Sequence, residues 1–69
     1  MFTRLLIDGV LKIAQVIRYE NQKNRVARVF DPRASVPERI LDEVQENVFL
    51  DREHNQKFIL TPLGMSPVL

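Results

Sequence analysis

Sixty-nine residues with a formal net charge of +1 make one small domain, and no cysteine is available for a disulfide and no Cys/His cluster for a metal. A chain this short buries only about 60% of its unfolded surface, yet 45% of its residues are hydrophobic. The sequence therefore predicts either unusually dense packing or apolar surface shared with another chain, and we favour the second.

The charge is uneven. Residues 1–33 carry seven Lys/Arg against Asp8, Glu20 and Asp31, a net of +4, and residues 34–69 carry a net of −3. Opposite halves of this kind attract each other within a domain or recruit different partners.

In chain order, the first signal is Asp8-Gly9 between Leu5-Leu6-Ile7 and Val10-Leu11. Asp-Gly between apolar runs marks a tight hairpin, because Gly tolerates positive φ. A second hairpin is expected around the polar tetrad Asn21-Gln22-Lys23-Asn24, which separates two runs rich in Val, Ile, Tyr and Phe. Together these predict a three-stranded antiparallel meander over residues 2–7, 10–20 and 25–31. The expected register pairs Glu20 with Arg25, Tyr19 with Val26 and Val16 with Val29. One face then holds Gln15, Ile17, Tyr19, Val26, Arg28 and Phe30, and the other Ala14, Val16, Arg18, Ala27 and Val29. Neither face is wholly apolar, so the register is weakly specified. A rival reading makes residues 5–17 one helix, since Arg4, Asp8, Lys12, Gln15 and Arg18 recur at helical spacing. Gly9 counts against it, costing a helix roughly 1 kcal/mol relative to Ala.

Asp31-Pro32 ends the third strand. Ser35, Pro37 and Glu38 then match a helix start, with Ser35 as N-cap, Pro37 in the first turn and Glu38 completing a capping box. An amphipathic helix is predicted to about Asn47, with Val36, Ile40, Leu41, Val44 and Val48 on its apolar arc. Two short apolar runs, residues 48–50 and 58–60, flank a wholly polar gap and predict a second, shorter hairpin. Residues 61–69 contain two prolines and a glycine alongside Leu63, Met65, Val68 and Leu69, and predict an extended apolar arm. The fold class expected is thus α+β: a meander, one helix, a short hairpin and an extended tail. Residues 1–61 form the domain and residues 62–69 the arm.

No residue set carries catalysis. His54 is the sole histidine, flanked by Asp51 and Glu53 in a polar loop, and reads as solvated rather than as a base beside an activated hydroxyl. Glu38, Asp42 and Glu46 would form an acidic ridge on the predicted helix, able to hold a divalent cation or, more simply, to face solvent. Catalytic residues, metal ligands and cofactors are accordingly all expected to be none.

Two binding surfaces stand out. Phe49, Phe58, Leu63, Met65, Val68 and Leu69 are the candidate protein-binding residues, since an apolar arm with prolines can occupy a groove or add to a sheet edge. Arg18, Lys23, Arg25, Arg28 and Arg33, with Tyr19 and Phe30 interleaved, are the candidate nucleic-acid-binding residues. The expectation is a non-enzymatic interaction module, homo-oligomeric or an accessory or regulatory subunit of a larger protein, with a nucleic-acid-binding meander as the alternative. No segment approaches the roughly 18 apolar residues of a membrane-spanning helix, and no leader pattern opens the sequence. A cytoplasmic location without membrane attachment is expected.

Overall fold

A computed structural model describes residues 1–69. Seven strands run in chain order: β1 (Phe2–Ile7), β2 (Val10–Ile17), β3 (Val26–Phe30), β4 (Arg39–Gln45), β5 (Val48–Asp51), β6 (Gln56–Thr61) and β7 (Gly64–Pro67). Each pairs antiparallel with the next, and β7 returns beside β1 in parallel through Leu5 and Met65, closing the sheet into a barrel. Closure removes the free edges that a meander of this length would otherwise present.

The expected α+β class is overturned, because the fold is all-β and has no helix. The predicted helix, residues 36–47, instead supplies part of a loop and β4. Ser35 caps nothing; the Glu38 N–H donates to the Val29 carbonyl, and the Glu38 carboxylate binds Lys12. Long-range pairing defeated the helical pattern. Arg39, Leu41 and Glu43 alternate toward the interior, opposite Val29, Ala27 and Phe49, and the charged pair among them disguised a period of two as a helical stripe. Val44 is an extra residue between Glu43 and Gln45, a bulge that bends β4 at the barrel rim.

Elsewhere local chemistry sets the strands. Asp8 and Gly9 have φ of 51° and 78°, the paired positive values of a tight hairpin turn. The β2–β3 register is Val16 with Ala27 and Ile17 with Val26. This lies two residues from the expected pairing, so residues 18–25 form a longer loop. An even slip leaves the side chains that stay in the strands on their predicted faces, while Arg18, Tyr19, Glu20 and Arg25 move into the loop and the expected Glu20–Arg25 and Tyr19–Val26 pairs do not form. The runs at residues 48–50 and 58–60 pair as β5 and β6, with Phe49 opposite Phe58. Of the expected arm, Gly64–Pro67 form β7, and Met65 enters the core.

The core is one cluster of ten residues: Leu5, Ile7, Ala14, Val16, Ala27, Val29, Leu41, Phe49, Phe58 and Met65. The Cα radius of gyration is 11.1 Å, against about 11 Å for a self-contained domain of this length. All ten core residues are drawn from the seven strands and meet inside the one barrel.

Candidate functional site

Both ends of the barrel are closed by a buried carboxylate. At the end holding the β2–β3 and β4–β5 connections, Glu43 accepts hydrogen bonds from the Arg25 backbone N–H (2.9 Å), Arg25 Nε (3.2 Å), Arg25 Nη2 (2.9 Å) and the Asn47 N–H (2.9 Å). The Arg25 side-chain hydrogen bonds hold the Glu43 carboxyl at about 2, well under its ordinary 4.5, although burial opposes the shift. Arg25 also donates to Asn47 Oδ1 (2.8 Å) and lies over the Phe49 ring, 5.6 Å from its centroid.

At the opposite end, Asp51 accepts from the Glu53 and His54 N–H groups, from His54 Nδ1 (2.8 Å) and from Arg39 Nη1 (3.1 Å). An ionised carboxylate can only accept, so His54 Nδ1 bears the proton in this contact. Burial pushes the Asp51 carboxyl up, but the His54 and Arg39 contacts outweigh it and leave it below its ordinary value. No buried side-chain polar atom lacks a partner. These saturated clusters position loops, and His54 lies on the exposed side of one of them.

The acidic ridge does not form. Glu38 pairs with Lys12 at 2.9 Å, Asp42 with Arg52 at 3.2 Å, and Glu46 lies in the β4–β5 turn. No group of acidic, histidine or cysteine side chains is arranged to hold a metal ion.

The basic residues are dispersed. Arg25 is locked on Glu43. The Arg18 guanidinium donates to the Lys23 carbonyl within the β2–β3 loop, Arg28 projects from the outer wall above Phe30, and Arg33 lies in the β3–β4 loop beyond the other end. The candidate apolar residues divide as well. Phe49, Phe58 and Met65 are sealed in the core, and Leu63, Val68 and Leu69 are exposed.

The exposed Leu63 belongs to a surface that pattern reading missed. The hairpin β1–β2 carries large apolar side chains on both faces. Leu5, Ile7, Ala14 and Val16 point inward. Phe2, Leu6, Leu11 and Ile13 point outward, with Leu6 paired to Leu11 and Ile13 to Phe30. Phe2, Leu6 and Leu11 are 69%, 54% and 51% exposed. Where β7 meets β1, a groove of about 540 Å³ runs between Leu6 and Leu11 on one side and Leu63 and Pro67 on the other, with Arg4 between them. A second hollow, bounded by Phe2 and Ile13, shares Arg4 and Leu11 and continues the surface across β1–β2. The signal was present in the sequence as missing alternation: an antiparallel hairpin that faces water on one side alternates apolar with polar residues, and residues 2–17 do not.

Compared with known proteins, the chain matches no family model, no curated protein and no solved structure. No helix is long and apolar enough to cross a membrane.

Proposed function

We propose that this chain is a small non-enzymatic protein-interaction module, with the cytoplasm as its expected compartment, and that the outer wall of β1–β2 and the adjoining groove are its docking surface. The observation carrying this reading is the apolar outer face of β1–β2. Phe2, Leu6 and Leu11 lie outside the ten-residue core of the barrel and are exposed, and contiguous exposed apolar surface marks interaction sites on small domains. The support thus rests not on Phe49, Phe58 and Met65, which point into the core from β5, β6 and β7, but on the outer face of β1–β2, and Leu63 remains part of it.

Light scattering across micromolar concentrations, on the intact chain and on Leu11→Asp, tests whether the wall binds a second copy. Capture of a protein partner by the intact chain but not by Leu11→Asp supports the reading. Equal capture by a folded Leu11→Asp protein removes it. The nucleic-acid reading has less support, because Arg25 is spent on Glu43 and Arg18, Arg28 and Arg33 are spread from one end of the barrel to the other. It requires binding that weakens steeply with salt and a salt slope reduced by Arg28→Ala.

A further inference from the structure

The groove at the β1–β7 seam has a chemistry that narrows the partner, given the reading above of this wall as a docking surface. No outward-facing residue of β1, β2 or β3 is a carboxylate, and two, Arg4 and Arg28, are cations. Neither forms an ion pair. Arg28 bonds weakly to Gln15 Oε1 at 3.4 Å and lies over Phe30. Arg4 is tethered by one bond, from Nε to the Leu63 carbonyl at 3.1 Å, and its two terminal nitrogens bind nothing within the chain. A guanidinium fixed at Nε beside an apolar groove presents a planar fork that suits a carboxylate.

A second copy fits this surface poorly. A two-fold contact through the wall brings Arg4 and Arg28 against a surface with no carboxylate to meet them, and like charges set against each other select against that pairing. Nucleic acid fits less well too. Two cations release few counterions, whereas strong phosphate binding draws on several.

We infer that the groove takes a short acidic segment of another protein, in which an Asp or Glu is flanked by large apolar side chains. The carboxylate sits on the Arg4 guanidinium, and the apolar side chains cover Leu6, Leu11 and Leu63.

The test is selection of a random dodecapeptide library on the intact chain and on Arg4→Glu, with melting temperature confirming that the variant is folded. The intact chain enriches peptides that place Asp or Glu beside Leu, Ile, Val or Phe. A peptide from that pool binds Arg4→Glu about tenfold more weakly or worse, and exchanging its acid for Lys restores binding to that variant. Should Arg4→Glu not fold, Arg4→Gln replaces it and loses the acidic preference without reversing it. Enrichment with no acidic preference, or one that Arg4→Glu leaves intact, overturns the inference. So does retention of oligo-dT in place of peptides. A dimer abolished by Leu11→Asp also overturns it but leaves the interaction reading standing. A monomer that retains no peptide and binds no hydrophobic dye in its native state ends both.

Discussion

Glu43 and Asp51 each receive four hydrogen bonds at opposite ends of a barrel that has no disulfide or metal to hold it. Removing one member of such a buried pair leaves the other uncompensated, so Arg25→Ala is expected to cost roughly 3 kcal/mol in urea unfolding at neutral pH. The pH dependence follows from the direction of the shift. Glu43 titrates near 2 when folded and near its ordinary 4.5 when unfolded, so its contribution is complete above about pH 4.5 and disappears as pH falls through 2. Asp51 is shifted in the same direction. The stability gap between the intact chain and Glu43→Gln should therefore shrink between pH 4.5 and pH 2, and a gap constant across that range would refute the assignment.

Gly64 makes a separate demand. Its φ is 134°, and an added Cβ would lie 3.0 Å from Arg4 Cγ and 3.1 Å from the Arg4 carbonyl oxygen. Gly64→Ala should cost about 1–3 kcal/mol and accelerate amide exchange at Leu5 and Met65, the pair that closes the barrel. Unchanged exchange there would show that the seam does not depend on this position.

Among the elements, those set by local chemistry were legible in the sequence. Asp8-Gly9 announced its turn, and the apolar runs around residues 48–50 and 58–60 announced β5 and β6. β4 was hidden because two of its inward residues are charged, and their partners Arg25 and Asp51 are distant in the chain. The seam was hidden because the single pair that marks it joins Leu5 to Met65. The exposed apolar wall of β1–β2 was half visible. Excess apolar content was apparent from composition, and Leu63, Val68 and Leu69 of the tail are exposed, but Phe49 and Phe58 lie in the core, since an inward and an outward phenylalanine look alike without the register. The two faces of the sheet should answer differently to substitution. Phe49→Ala removes a fully buried ring and should cost about 3–5 kcal/mol. Leu6→Ser and Leu11→Ser, on the outer face, should each stay within about 0.5 kcal/mol in urea unfolding at low protein concentration. Losses of similar size on both faces would mean that the outer wall is part of the fold.

For the whole molecule, the uneven charge of the sequence resolves internally. Lys12 with Glu38 and Arg25 with Glu43 join the basic first half to the acidic second half. With the core closed and these ion pairs made, the barrel still exposes the carboxylate-free wall of β1–β2, with Phe2, Leu6 and Leu11 on its surface. The most direct measurement of that claim is bis-ANS fluorescence of the native protein beside the Leu6→Ser/Leu11→Ser double variant. The intact chain should bind the dye while folded, and the double variant, equally folded, should bind it several-fold less. A native chain that leaves the dye dark, or dye binding that the double substitution does not change, would contradict it.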